Sequence, residues 1–228
     1  MVISAIERQK RRPERVNIFI DGVFALGIHE SVLLKSGYRK GDVVDEQALR
    51  VLEATEEYNA AKEKALRLIS YRMRSEKELT KRLTDKGFLP EVIGNVLTNL
   101  RENNLLDDRK FAFAFVHDTI LRKKAGRTLL QRELRLKGVA PEIIESVLAE
   151  SIDTAEEEER AVAAAKTVLQ RYVSSRKQSD QLKQRQRLTS FLARRGYDFA
   201  IIGRVMKRLF SPGNSDQTDN DDNSGNEE

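Results

Sequence analysis

The sequence predicts a mainly α-helical protein built from tandem three-helix repeats. Three observations support this fold class: helical spacing of apolar residues from about residue 46 onward, a leucine–leucine–glycine pattern that recurs three times, and very few prolines in that range. One such unit has a thin core, so we expect the repeats to stack into an elongated, curved array of about nine helices. A small β-hairpin extension precedes the array, and an acidic tail follows it.

The repeat consists of two leucines four residues apart and a glycine four residues later, in residues 79–87, 130–138 and 188–196. Leucines at this spacing lie on one face of a helix, and glycine suits the left-handed residue that ends it. A longer helix is expected before each pair, over roughly 58–73, 107–123 and 154–174. Residues Ser75 to Glu78 read as a capping box, and Thr154 is the expected cap of the last long helix.

The predicted organisation therefore has five parts. In the extension, apolar β-prone runs flank Asp21-Gly22, a pair typical of a two-residue hairpin turn. The tail is rich in Asn, Asp, Ser and Gly and has six acids and no base, so we expect it to be disordered. The expected boundaries are 1–45 for the hairpin extension, 46–106 for the first repeat with a lead-in helix, 107–153 and 154–210 for the other two repeats, and 211–228 for the tail.

Basic residues are concentrated in the body of the chain. The formal net charge is +5, although the tail is acidic, and residues 171–210 contain eleven bases and two acids. Such a body favours an anionic partner, of which nucleic acid is the commonest; a solvated surface is the alternative. Basic clusters lie near predicted helix junctions and form the candidate filament- or DNA-binding set: Arg72, Arg74, Lys77, Arg122, Lys123, Lys124, Arg127, Arg194 and Arg195.

The first two clusters occupy equivalent points of successive repeats. If the repeats stack with a regular rotation, these clusters form one electropositive stripe able to follow a phosphate backbone. The alternative is that helix junctions are exposed and tolerate charge. The leucine–glycine spacing also fits a helix-turn-helix, which keeps open a stand-alone DNA-binding transcriptional regulator. Because the pattern occurs three times, a structural repeat is the preferred interpretation.

Nothing in the sequence predicts catalysis, a cofactor or a metal. The chain has no cysteine, two histidines far apart, and no phosphate-binding loop or hydrolase motif. No apolar run approaches the roughly 20 residues of a membrane span, and the N-terminus lacks a signal peptide. We therefore expect a non-enzymatic, cytoplasmic protein, a monomer with no membrane contact.

Three segments resemble the RecX family of regulatory proteins: Tyr71 to Leu79 (YRMRSEKEL), Leu105 to Val116 (LLDDRKFAFAFV) and Glu133 to Val139 (ELRLKGV). The resemblance spans residues 58–152, extends more loosely to residue 210, and includes a hairpin extension found in some members. It implies a tandem three-helix array that binds the RecA recombinase and its filaments on single-stranded DNA. It also implies that the protein inhibits strand exchange, ATP hydrolysis and co-protease activity of RecA in DNA recombination, repair and the SOS response. Nucleic acid would be bound without sequence preference, and the protein would have no enzymatic activity of its own.

Overall fold

The computed structural model describes residues 1–174 and 181–211, and only the backbone of residues 172–174. The chain divides into two compact units, of which one ends at Asp108 and the other begins at Arg109. The tail predicted over 211–228 lies, except for Ser211, outside the described residues, and so does part of the basic segment 171–210.

The N-terminal extension is an antiparallel sheet of three strands in the order β1 (Ile3–Gln9), β2 (Arg12–Ile20) and β3 (Val23–His29). The predicted hairpin joins β2 to β3, and its turn residues Asp21 and Gly22 have φ values of 48° and 86°. The extension is larger than predicted, because β1 adds a strand and helix α1 (Glu30–Ser36) follows β3. Register shifts in β1 interrupt its period-two pattern, which hides the strand in the sequence.

One face of the sheet forms a core with the start of the helical part. Ile18 and Ile28 are fully buried there and pack with Val32 of α1 and Leu52 of the next helix. Arg15 and Glu56 form an ion pair of 2.6 Å, and Glu56 also accepts the His29 backbone N–H at 2.7 Å. The extension is therefore fixed to the first repeat within one compact unit.

Nine helices form the three repeats, and α1 makes ten in the described residues, one more than predicted. The repeats comprise α2 (Glu46–Tyr71), α3 (Glu76–Thr84) and α4 (Pro90–Glu102); α5 (Asp108–Lys123), α6 (Arg127–Leu136) and α7 (Pro141–Ser151); and α8 (Thr154–Ser174), α9 (Gln181–Arg194) and α10 (Phe199–Phe210).

The predicted start of the first long helix near residue 58 is wrong, because the expected lead-in helix and the long helix are one continuous helix. Helix α2 begins at Glu46, where the Asp45 carboxylate accepts the Ala48 backbone N–H at 2.7 Å. Leu52 packs into the sheet core, whereas Ala61 and Ala65 pack into the core of the first repeat. The buried face therefore changes partner along the helix, and a single apolar stripe does not mark its full length.

The same hydrogen bonds end the second helix of every repeat. Gly87, Gly138 and Gly196 have φ values of 88°, 82° and 85°, as predicted for left-handed residues. In the first repeat the Phe88 N–H donates to the Leu83 carbonyl and the Gly87 N–H to the Thr84 carbonyl. This is the Schellman pattern, and equivalent bonds end the other two helices. The leucine pairs that precede the glycines are all fully buried.

The capping predictions are confirmed in one place and wrong in another. Ser75 is buried, and its hydroxyl accepts the Glu78 backbone N–H at 3.2 Å. Thr154 does not cap α8: the Asp153 carboxylate accepts the Ala155 and Glu156 N–H groups at 2.8 and 3.1 Å. Aspartate and threonine both suit this position, and the sequence offered the two side by side.

Candidate nucleic-acid interface

The nine predicted binding residues fall into three groups of three. The first group consists of partly buried arginines that bind their own chain. Arg74 donates to the Leu68 carbonyl in the last turns of α2 at 3.0 Å. Burial, and then the charge of Arg72, lower the pKa of its guanidinium. Arg127 contacts the Leu148 carbonyl and Glu145 at 3.4 and 3.3 Å.

Arg195 completes this group. Its guanidinium donates to the Lys123 carbonyl and lies 5.2 Å from the centre of the Phe191 ring. All three arginines therefore hold helix ends and turns together. Their first role is structural, because each guanidinium donates to a backbone carbonyl. The Leu148 carbonyl also accepts the Ile152 N–H, so it depends least on its arginine.

The second group is exposed and paired with acids. Arg72 contacts Glu78 at 3.0 Å, Arg122 contacts Asp118 at 3.2 Å, and Lys123 contacts Glu133 at 3.0 Å. Side-chain exposure of the three bases runs from 45% to 71%. The Arg122 pair is exposed on both sides and contributes little to stability, so Arg122 can exchange its partner for a phosphate oxygen at small cost. Arg72 and Lys123 are more strongly engaged, because Glu78 and Glu133 are mostly buried and Arg72 also donates to the Met73 carbonyl at 2.8 Å.

The third group has no side-chain partner in the part of the chain that the structure describes. Lys77, Lys124 and Arg194 are exposed, and within residues 1–174 and 181–211 no hydrogen bond or ion pair engages their side chains. Lys77 lies on the first turn of α3, Lys124 follows the end of α5, and Arg194 is the last residue of α9. These are the predicted residues with charge available for an anionic ligand.

Two basic clusters that are distant in sequence meet at one backbone contact. The Gly126 N–H donates to the Arg195 carbonyl at 2.9 Å, and the Thr128 N–H donates to the Gly196 carbonyl at 3.0 Å. A Cβ on Gly126 would lie 2.5 Å from the Gly196 carbonyl oxygen, so only glycine permits this approach. The contact brings the turn at 122–127 against the turn at 194–197. The sequence predicted both clusters but not their meeting.

Tyr197 closes the same contact. Its hydroxyl donates to the Lys124 carbonyl at 2.6 Å, and the side chain is almost fully buried. Burial raises the pKa of Tyr197 to about 12, against the opposing effect of the Arg160 charge. Sequence reasoning missed Tyr197, since its only local signal is a position next to the repeat glycine.

A carboxylate from the following repeat receives the first N–H of the second helix in two repeats. Asp108 accepts the Glu76 N–H at 2.8 Å, and the buried Glu157 accepts the Arg127 N–H at 2.7 Å. Burial raises the pKa of Asp108, although the backbone hydrogen bond opposes that effect. Acids at these places favour helix formation because they lie at the positive end of the helix dipole.

The predicted stripe joins clusters that belong to different compact units. Arg72, Arg74 and Lys77 lie in the unit that ends at Asp108, whereas the cluster at 122–127 lies in the unit that begins at Arg109. The stripe therefore stays a prediction. The meeting of the clusters at 122–127 and 194–197 rests on hydrogen bonds inside one unit.

No group of three or more acidic or histidine side chains within residues 1–174 and 181–211 is arranged to hold a metal ion. In the same part of the chain, every helix is too short or too polar to cross a bilayer.

The comparisons with known proteins decide the family. Four family models match consecutive segments: the Regulatory protein RecX N-terminal domain at residues 1–45, and the first, second and third RecX three-helix domains at 61–100, 107–148 and 158–206. Regulatory protein RecX of Clostridium perfringens is 32% identical over 207 residues, which cover 91% of this chain and 95% of that protein. The chain belongs to the RecX family. The Bacillus licheniformis RecX protein is 34% identical and shares 90% of this chain and 76% of its own length.

Solved structures of RecX proteins share the fold. One crystal structure of regulatory protein RecX superposes with a TM-score of 0.71 at 27% identity and covers 90% of this chain and 98% of its own. RecX from Lactobacillus salivarius has a TM-score of 0.60 at 21% identity over 68% of this chain and 97% of its own. The relatives are named as regulatory proteins, so a regulatory role follows from membership of the family.

Proposed function

We propose that this RecX-family chain binds the RecA recombinase and its filaments on single-stranded DNA, and that it inhibits them. The inhibited activities are strand exchange, DNA-dependent ATP hydrolysis and co-protease activity, in recombination, repair and the SOS response. The chain acts as a cytoplasmic monomer and as a regulator with no catalytic activity of its own.

One observation carries the proposal: the similarity to proteins named Regulatory protein RecX runs through the extension and all three repeats. The distribution of charge supports it. A RecA filament on DNA presents phosphates along an extended surface. The junctions of this chain carry Lys77, Lys124 and Arg194, which are exposed and have no side-chain partner among the described residues.

The proposal divides the nine basic residues by role. The exposed bases contact the DNA or the filament directly: Arg72, Lys77, Arg122, Lys123, Lys124 and Arg194. Arg74, Arg127 and Arg195 position the junctions by binding carbonyls of their own chain. Contacts to phosphates carry no sequence information, so binding is expected to lack a sequence preference.

The test is the ATPase activity of RecA on single-stranded DNA, measured with and without the purified chain. We expect substoichiometric amounts to lower the rate at low salt, and the chain alone to hydrolyse no nucleotide. An unchanged rate across a concentration series would contradict the proposal. A preference of about 10³ or more for one duplex sequence would instead favour the stand-alone transcriptional regulator.

A further inference from the structure

A basic cleft lies between the N-terminal sheet and the first repeat, inside one compact unit. It has a volume of about 860 Å³, in the range of known ligand sites, and is formed by β2, the end of β3, α2 and the turn between α3 and α4. Five bases line it against two acids, Glu14 and Glu63: Arg12, Arg15, Lys64, Arg67 and Lys86. None of these five belongs to the junction clusters.

The bases of the cleft differ in how far they are engaged. Arg15 is used internally, because it donates to Glu56 and to the Gly27 carbonyl at 2.6 and 2.8 Å. Arg67 pairs with Glu63 one turn away, but its side chain is 73% exposed. In the part of the chain that the structure describes, Arg12, Lys64 and Lys86 have no acid partner. Within those residues Glu14 also has no ion-pair partner, so the cleft holds three free cations against one free carboxylate.

The neighbouring hairpin tip continues the same charge. Lys10 and Arg11 form the turn between β1 and β2, and both are exposed directly before Arg12. Phosphates carried on a flexible strand can follow such a path from the tip into the cleft. A small anion would use only one point of it.

An aromatic ring lies among these cations. Phe88 lines the cleft, is half-buried, and packs against the core of the first repeat, which holds it in place. Its neighbour Lys86 comes from the same turn, which Gly87 closes. A fixed aromatic ring beside free cations is the combination that binds single strands, because unpaired bases stack on the ring while the cations hold the backbone.

We propose that this cleft is a second contact site for single-stranded DNA, in which Arg12, Lys64 and Lys86 bind phosphates and Phe88 stacks on a base. The choice of single-stranded DNA as the ligand rests on the proposed function, but binding at the cleft itself requires no RecA. The N-terminal extension then contributes to DNA binding, since β2 supplies one wall of the site.

The test is fluorescence anisotropy of a labelled oligothymidylate of about 15 nucleotides, titrated with the full chain over a salt series. The cleft variant combines Arg12→Gln, Lys64→Gln and Lys86→Gln. A matched control combines Arg39→Gln, Lys40→Gln and Lys81→Gln, which removes the same charge from exposed positions that do not line the cleft. Melting temperatures confirm that both variants fold.

We expect the cleft variant to lose roughly tenfold or more in affinity, and the logarithmic salt slope to fall by about 2, because each lost phosphate contact removes about 0.7. The control variant should lose no more than about twofold in affinity for the oligonucleotide, because its missing charges act on the DNA only through the long-range electrostatic field. Phe88→Leu keeps the apolar packing and removes the ring, so it should weaken binding about fivefold without changing the salt slope.

Parental affinity in the cleft variant, or equal losses in the cleft and control variants, would overturn the proposal. Competition by inorganic phosphate as effective as that by unlabelled oligonucleotide would also overturn it, because the site would then accept any small anion. Failure here is separable from failure of the proposed function. If the chain inhibits the RecA ATPase but the cleft variant binds oligonucleotide like the parent, only the cleft proposal fails. If the cleft variant binds oligonucleotide more weakly but the parent does not inhibit the RecA ATPase, only the proposed function fails.

Discussion

The first junction (residues 72–75) and the second junction (residues 124–126) stand at the same place in successive repeats but are built differently. The first closes with its own side chains: Arg74 binds the Leu68 carbonyl and Ser75 caps α3. In the second, Gly126 occupies the position of Ser75 and supplies no side-chain cap, although Glu157 of the next repeat accepts the Arg127 N–H. The backbone of the second junction is instead bonded by the turn at 194–197 of the next repeat.

The difference shows what the repeat preserves. Both junctions keep the break between helices and the buried leucines that follow, because packing within each repeat requires them. Only one of the three aligned charges is kept: Lys123 stands where Arg72 stands, but the buried Ala125 stands where Arg74 stands, and Thr128 stands where Lys77 stands. Equivalent positions in successive repeats therefore have the same backbone role even where their side chains differ in charge.

The largest expected loss of stability comes from replacing a repeat glycine by alanine, and it depends on the atoms around that glycine. Gly196 and Gly87 both have positive φ, but a Cβ on Gly196 would collide with the backbone of Leu129, whereas Gly87 has nothing within 4 Å. We expect Gly87→Ala to cost about 1 kcal/mol of unfolding free energy, from backbone strain. Gly196→Ala should cost about 3 kcal/mol, because overpacking adds to the strain. Denaturant unfolding measures both, and equal losses would show that the contact at Gly196 is not tight.

Exchanging the N-cap residues of the two junctions, serine for Gly126 and glycine for Ser75, tests the comparison directly. Serine is a good helix cap, so local preference alone predicts that Gly126→Ser stabilises α6. The Cβ position 2.5 Å from the Gly196 carbonyl oxygen predicts instead a loss of about 2 kcal/mol. Ser75→Gly should cost only about 0.5 kcal/mol, since the cap is lost without a clash. The sign of the Gly126→Ser effect decides, and a gain in melting temperature would contradict the account of the second junction.

A smaller effect is expected at Tyr197. Tyr197→Phe removes the hydrogen bond to the Lys124 carbonyl and should cost about 1 kcal/mol at neutral pH. Burial holds the pKa of Tyr197 at about 12, above its ordinary value of 10.0, so the parent loses the contribution of this tyrosine as the pH rises from about 10 to about 12, a loss that the variant lacks. The difference between parent and variant should therefore narrow above about pH 10. Tyr71→Phe, at an exposed ring, is the control. A stability difference between parent and Tyr197→Phe that widens with pH would contradict a raised pKa of Tyr197.

Much of the fold could be predicted because its signals are local. The leucine pairs and their glycines lie within nine residues of each other, and all three sets recur in the structure as buried pairs before left-handed glycines. Strand β1 and the first turns of α2 escaped prediction, because bulges and a change of packing partner disturb their periodicity. The match of Asp21-Gly22 to its turn shows how strongly positive φ selects residues.

The candidate site was harder to predict for a physical reason. A sequence shows where arginines are, but not whether a nearby carbonyl already binds the guanidinium, as it does at Arg74, Arg127 and Arg195. The cleft went unnoticed because Arg12, Lys64 and Lys86 come from three separate elements and no spacing links them. Long-range contacts such as Gly126 with Gly196 leave no local trace except two small residues.

The measurement that tests the central claim most directly is inhibition of the RecA ATPase by a variant that lacks the free junction charges. This variant combines Lys77→Gln, Lys124→Gln and Arg194→Gln, and Arg39→Gln with Lys40→Gln and Lys81→Gln is its control of equal charge. Exposed residues contribute little to stability, so both should melt like the parent. We predict that the junction variant needs roughly tenfold more protein for half-inhibition, that this gap shrinks as salt rises, and that the control inhibits like the parent. Inhibition by the junction variant equal to that of the parent at every salt concentration would contradict the account.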